Sequence, residues 1–293
     1  MEAHLRDLRY FTAVAEELSF TKAATERLYI SQPALSKQIR QLENLLRVTL
    51  FNRDHQRVTL TPAGEALLPR AKQLLELWDD TRRQVGEAAG EATLTVGFQT
   101  RIGRGLIPRV SAEMTRRLPG WRLLFRQIAW RDATAGLGRA EVDVAVAWLP
   151  VPDGGDLAWR VVATEDRWVA LPAGHRLAGL AEVPFAELAA EPFIALPASA
   201  GALRRFWLAA DERETPPTVA AEAETAEETF EAVASGLGVV LLSAGNAELY
   251  RREDVAVRPV TGLTPAEFAV VWRADDERPA IRVFVDALFR CLT

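Results

Sequence analysis

Apolar positions near the start of the chain recur every three or four residues: Leu5, Leu8, Phe11, Ala15 and Leu18. That spacing lays one apolar stripe along a first helix. After Ser19-Phe20, Thr21 stands as the N-cap of a short second helix over residues 22–28, with Ala24 and Leu28 on one face. Ala24 occupies the position where a capping box needs Glu or Gln, so no box forms. Tyr29-Ile30 make a tight connection, and Ser31 is the next N-cap candidate. Pro33 falls in the following first turn, where its missing N–H costs nothing. Leu35, Ile39, Leu42 and Leu46 form the stripe of a third helix that runs to about Leu46. Two short helices, a tight turn and a polar outer face match a helix-turn-helix. Residues 50–61 (LFNRDHQRVTLT) read as a short hairpin beside it.

From 62 to 85 the pattern is helical throughout, with Pro62 in the first turn. Leu67, Ala71, Leu74, Trp78, Thr81 and Val85 step by four and three, a heptad seam that Leu68 and Leu75 widen. Such a stripe packs within its own chain or covers a second copy of itself, and its length favours the second copy. Pro69, inside the pattern, is expected to bend or break the helix. Residues 86–90 (GEAAG) read as a flexible junction. Beyond them TLTVGF, WRLLFRQ, VDVAVAWL, RWVALP, FIALP, VVLL and FAVVWR read as strands alternating with helices. That alternation argues for an α/β body with mainly parallel sheets.

Composition narrows the picture. The chain has 293 residues, 49% hydrophobic and 26% charged, enough for about two globular domains. No apolar run is long enough for a spanning helix and no secretory signal opens the chain, so a cytoplasmic location away from membranes is expected. Cys291, the sole cysteine, excludes an intramolecular disulfide and reads as buried in an apolar C-terminal helix. Residues 1–62 carry nine Lys/Arg against seven Asp/Glu, whereas the whole chain is at −5. A mildly basic head on an acidic body points to an anionic partner at one end.

The helix-turn-helix carries the chemistry for that partner. On a helical wheel Pro33, Lys37 and Arg40 point away from the apolar stripe, Ser36 flanks it, and Gln32 sits at the exposed N-terminal end. In a major groove Gln pairs with adenine, Lys with guanine, and Ser with base or phosphate. The cap candidates Thr21 and Ser31 stand at helix N-termini, which favour phosphate. Arg53 and Arg57 near the hairpin tip suit phosphate or minor-groove contacts. Taken singly, each of these also suits a solvated surface. The constellation points to double-stranded DNA.

The stretch FTKAATERLYISQPALSKQIRQLENLLRVTLFNR, followed by VTLTPAGEALL, resembles the N-terminal domain of LysR-type transcriptional regulators, without gaps over residues 5–64. The resemblance implies that operator DNA is read by the positions that are here Gln32, Pro33, Ala34, Ser36 and Lys37, with Arg53 in the wing. It also implies that the helix carrying Leu67, Ala71, Leu74, Trp78 and Val85 dimerises, each helix-turn-helix then taking half of an inverted repeat. A homotetramer follows by analogy, and RNA polymerase is a candidate further partner.

The resemblance continues through GFQTRIGRGLIPRV, EVDVAVAWLP, LPAGHRLA, AVASGLGVVLLSAG and FAVVWRADD. The implied architecture is an N-terminal winged helix-turn-helix (1–62), a linker helix (63–87) and a two-lobed periplasmic-binding-protein-like effector domain (88–293). Lobe I would span about 92–162 and 268–293, and lobe II about 163–267. A small-molecule effector is expected in the crevice at strand C-terminal ends. Gln99, Thr100 and Arg101 follow the first strand and precede a helix beginning near Gly103, where Arg holds a carboxylate bidentately. Positions matching ligand contacts in relatives include Thr100, Arg101, Trp130, Trp148, Ser199 in the loop 197–201, and Thr225. With both tryptophans facing the crevice, an aromatic or apolar anion is favoured; as core residues they say nothing about the ligand.

Catalytic signatures are lacking. The chain has no G-x-S-x-G, H-E-x-x-H or G-x-x-x-x-G-K-[ST] motif. Gly236-Leu-Gly238 and Gly103-Arg-Gly105 are incomplete as dinucleotide fingerprints. His4, His55 and His175 are far apart and suggest no metal cluster, so neither metal nor cofactor is expected. The reading is a non-enzymatic regulator. The alternative is a cytoplasmic small-molecule-binding protein that does not regulate DNA.

Overall fold

The computed structural model describes residues 4–54, 57–88, 92–103, 105–152 and 154–292, with backbone alone for Glu26, Arg53, Asp54, Arg83 and Glu87. The chain forms two compact units, 1–89 and 90–293.

In the first unit, α1 (Leu5–Glu17) opens with the His4 N–H donating to the Asp7 carboxylate at 2.9 Å and buries Phe11, Val14 and Ala15. It stops one residue earlier than the apolar spacing suggests. Leu18 turns left-handed at φ 45 and is exposed. That turn makes Ser19, not Thr21, the next N-cap: Ser19 Oγ accepts the Lys22 N–H at 3.3 Å. Thr21 therefore lies exposed within α2 (Phe20–Lys22), which runs on into the π-wound stretch Ala23–Leu28. Tyr29, at φ 52, closes it, and α3 (Gln32–Leu46) follows with Pro33 in its first turn. Ser31 holds the N-cap position through its carbonyl, which accepts the Leu35 N–H at 3.1 Å; its hydroxyl caps nothing. Leu35, Ile39 and Leu42 are buried, and only Leu46 of the expected stripe is exposed, at the helix end. Strands β1 (Phe51–Asp54) and β2 (Arg57–Leu60) pair antiparallel as the hairpin; His55 at its tip lies outside the described residues.

Helix α4 (Pro62–Ala88) passes through Pro69 without ending. Its expected seam divides in two. Ala71 is fully buried and Leu67 and Leu68 pack on the core of their own unit, whereas Leu74, Trp78 and Val85 are 49%, 46% and 65% exposed. The first turns of α4 lie under α1, tied there by the Lys72–Glu16 pair at 2.8 Å, so own-chain packing takes that end of the stripe. The junction expected at 86–90 begins inside α4, and residues 89 and 90 are not described.

The second unit continues through β3 (Thr93–Phe98), α5 (Leu106–Arg117), β4 (Arg122–Gln127), β5 (Val144–Trp148), β6 (Leu157–Glu165), β7 (Arg167–Pro172) and β8 (Val183–Pro184). It goes on with α6 (Phe185–Leu188), β9 (Phe193–Ala195), α7 (Gly201–Trp207), β10 (Val219–Glu222), α8 (Ala226–Ala234) and β11 (Val240–Ser243). It ends with α9 (Ala244–Leu249), β12 (Val255–Thr261), β13 (Ala266–Arg273) and α10 (Pro279–Leu292). One sheet has the order β4-β3-β5-β13-β6, a second β11-β7-β12-β8, and β9 pairs with β10. The sheets are mixed rather than mainly parallel. Strands β6 and β13 pair antiparallel with each other, β13 with β5, and β7 with both β11 and β12. The reason is the chain path, since β6–β7 and β12–β13 carry it across and back between the two sheets.

Arg167 stands at that crossing. Its buried guanidinium donates to the Thr264 carbonyl at 2.7 Å and the Phe206 carbonyl at 2.9 Å, and pairs with Glu212. Helix α5 starts at Leu106 rather than Gly103, because Gly103 and Gly105 both take positive φ before it. His175 serves a turn, its Nδ1 accepting the Leu177 N–H at 3.2 Å. Cys291, read as buried, is half-buried in α10.

Candidate functional site

Along α3, Gln32, Pro33, Ala34, Lys37 and Arg40 are exposed and Ser36 is half-buried, opposite Leu35, Ile39 and Leu42. Gln32 Nε2 donates to Ser36 Oγ at 2.9 Å, which arranges the amide before any base is met. No acidic residue interrupts positions 31–42. An acid-free, cation-bearing helix face suits a polyanionic groove. Ser31, Thr21 and Arg57 are also exposed, while the side chain of Arg53 lies outside the described residues. Tyr29, read from sequence only as part of the connection, is 83% exposed beside the N-terminus of α3. A large aromatic within a two-residue turn was the available signal.

The support of this face is built into the helix. Glu43 accepts the N–H groups of Leu50 and Phe51, so α3 itself holds β1. Phe51 in turn meets the rings of Phe11 and Phe20, with centroids 5.4 and 5.6 Å away. Gly64 completes the joint to α4, since a Cβ there would meet the Leu50 carbonyl oxygen at 2.3 Å.

In the second unit a cavity of about 50 Å³, several times what one ordered water needs, lies between the two larger sheets. Gln99, Thr100, Trp130 and Trp148 line it, as the sequence suggested for a crevice. Opposite stand Trp207, Thr229, Phe230, Asn246 and Tyr250, which sequence reasoning missed because no motif links them. Gln99 is held by its amide donating to the Asp132 carbonyl at 2.9 Å.

Three expected residues are not in this wall. Ser199 is exposed in a 3-10 turn. Thr225 is committed as the N-cap of α8, its Oγ1 accepting the Glu228 N–H at 3.2 Å, and leaves Ala226 and Thr229 to face the cavity. Arg101 is turned aside: its guanidinium lies 4.9 Å over the Tyr250 ring and 3.8 Å from Glu227. Its backbone N–H donates to the Tyr250 hydroxyl at 3.2 Å. Burial pushes that phenol above its ordinary range, against the smaller lowering effect of the Arg101 N–H.

Two family models match the chain. Residues 5–65 match the bacterial regulatory helix-turn-helix protein, lysR family, and residues 87–291 match the LysR substrate binding domain. The chain belongs to the LysR family. It is a DNA-binding transcriptional regulator of the LysR type, with the helix-turn-helix on α2 and α3 and the cavity in its substrate-binding domain. Among its LysR relatives is the hca operon transcriptional activator HcaR of Escherichia coli K12, 32% identical over 96% of this chain and 95% of HcaR. Another is the HTH-type transcriptional regulator ShiR of Corynebacterium glutamicum, 34% identical over 96% of this chain and 97% of ShiR. The crystal structure of full-length CbnR with its target DNA is similar at a TM-score of 0.54 and 25% identity, covering 99% of this chain and all of that one. No helix among the described residues is long and apolar enough to cross a membrane.

Proposed function

We propose that this LysR-type regulator binds an inverted-repeat operator as a homodimer or homotetramer and responds to a small molecule held in the cavity of its second unit. The observation that carries the DNA half is the exposed, acid-free face of α3, with Gln32 and Ser36 already bonded to each other and Lys37 and Arg40 beside them. The exposed Thr21 of α2, Ser31 at the N-terminus of α3 and the wing with Arg53 and Arg57 flank it. In this reading residues 1–62 bind DNA, 63–87 pair two chains, and 88–293 sense the effector. The exposed Leu74, Trp78 and Val85 of α4 supply the self-contact.

The cavity supports the sensing half. Gln99, Thr100, Trp130 and Trp148 on one side face residues of β11, α8 and α9 on the other, so a ligand touching both sides shifts their arrangement by its differential affinity. The relatives carry regulatory rather than enzymatic names, and this reading assigns no catalysis. A cytoplasmic location fits a DNA partner, and RNA polymerase is a further candidate partner.

The test is binding of the full-length protein to the DNA upstream of its own gene across a salt series. Sequence-selective binding that weakens about a thousandfold or more between 50 and 200 mM salt, as several phosphate contacts dictate, supports the reading. Weak binding that is equal on unrelated DNA overturns it and favours a small-molecule-binding protein without DNA regulation.

A further inference from the structure

Among the described residues none that lines the cavity carries a charge, though Trp148 and Asn246 also border a neighbouring pocket lined by Arg101 and Glu165; five lining residues are aromatic: Trp130, Trp148, Trp207, Phe230 and Tyr250. Of the arginines that neighbour wall residues in sequence, Arg101 pairs with Glu227 at 3.8 Å, Arg131 with Glu224 at 3.1 Å and Arg204 with Glu222, while Arg251 beside Tyr250 is exposed. The first turn of α8, beside wall residues Ala226 and Thr229, carries Glu227 and Glu228, which oppose any anion drawn to that helix end. A carboxylate entering this cavity sheds its water and gains no ion pair.

Two polar groups of the wall lack a hydrogen-bond partner among the described residues, and of these the Trp148 Nε1 atom is fully buried. Trp148 Nε1 has no hydrogen-bond partner, and Trp148 is 7% exposed. The Asn246 carboxamide, on a residue also 7% exposed, makes no hydrogen bond among the described residues; only its backbone is engaged. An indole N–H donates, and a carboxamide both donates and accepts. Leaving such groups unpaired in the interior costs free energy that a matching ligand group recovers.

Resting on the assignment of this cavity as the effector site, we propose that it takes an uncharged, ring-bearing ligand with a carbonyl-type acceptor. Trp148 Nε1 and the Asn246 carboxamide hydrogen-bond that acceptor, and the surrounding aromatic side chains cover its apolar body. A neutral ligand departs from the aromatic or apolar anion that the sequence favours.

Benzamide and benzoate, which share a ring and differ in charge, separate the two on the full-length protein at pH 7. Tryptophan fluorescence and thermal unfolding report binding. Benzamide is expected to bind at least about tenfold more tightly than benzoate. Trp148→Phe and Asn246→Leu are each expected to weaken benzamide about tenfold, with benzoate unchanged. Benzoate binding equally or more tightly, benzamide indifferent to both substitutions, or neither compound binding at millimolar concentration overturns the proposal.

Ala226→Leu fills the cavity, with Ala195→Leu as the second choice should the first not fold. Benzoate binding abolished by the filled cavity means that the site stands and the ligand class falls. Binding of either compound that survives the filling overturns the site and the proposal together.

Discussion

The Glu43 carboxylate of the third helix accepts the Leu50 backbone N–H at 2.9 Å, so the same helix that presents Lys37 and Arg40 also holds the first strand of the wing. Removing the acceptor leaves part-buried N–H groups unpaired, at a cost of about 1–3 kcal/mol. Glu43→Ala is therefore expected to lower the melting temperature and weaken DNA binding, because the wing loses its anchor. Glu43→Gln keeps an acceptor oxygen and is expected to recover most of both. Thermal unfolding of the two variants beside the parent checks it; equal behaviour of Ala and Gln would remove Glu43 from this role.

Lys37 is exposed and its ammonium has no partner among the described residues, so its removal is expected to disturb DNA binding and not the fold. Lys37→Ala is expected to weaken operator binding with an unchanged melting temperature. Loss of a phosphate contact lowers the salt slope by about 1, whereas loss of a base contact leaves the slope and relaxes sequence choice. Unchanged affinity on every sequence would take Lys37 out of the interface.

The divided seam of the fourth helix assigns different roles to its two ends. Ala71, fully buried, is expected to tolerate no larger residue without loss of stability, independent of protein concentration. Leu74→Glu and Trp78→Glu, at exposed positions, are expected to leave the fold of each chain intact and shift the protein to monomers in sedimentation. A double variant that still sediments as an oligomer would place self-association elsewhere.

Glu16 carries a pH dependence. Burial raises its carboxyl, but the hydrogen bonds from Lys72 and Arg27 outweigh it and hold the carboxyl below its ordinary value of 4.5. A depressed folded-state value means stability present above about 4.5 and lost as pH falls through the folded value. The parent is therefore expected to lose melting temperature on acidification from pH 5 more steeply than Glu16→Gln. Parallel curves for the two proteins would show that the Lys72–Glu16–Arg27 cluster contributes nothing to acid stability.

Local periodicity showed the first three helices, the hairpin, Pro33 in a first turn, and strands β3, β4, β5, β7, β9, β11 and β13, but not β6, β8, β10 or β12. Each of these is a short segment whose burial repeats at a fixed interval, and a stripe or alternation is visible without knowing its partner. The outer face of α3 was legible for the same reason: whatever does not join Leu35, Ile39 and Leu42 in the core points outward. Tertiary structure decided what depends on a neighbour. Ser19 displaced Thr21 as the cap because Leu18 turns left-handed. The sheets became mixed because the chain crosses between them twice. The α4 stripe split because Leu67, Leu68 and Ala71 pack into the core of the first unit while Leu74, Trp78 and Val85 stay exposed. The cavity shows the limit most clearly, since Gln99 and Asn246 meet from segments far apart in sequence while Arg101, two positions from Gln99, is drawn off by Tyr250 and Glu227. A side chain's type is written in the sequence, but its partner is chosen by packing between distant segments, and that choice is made only when the chain has folded.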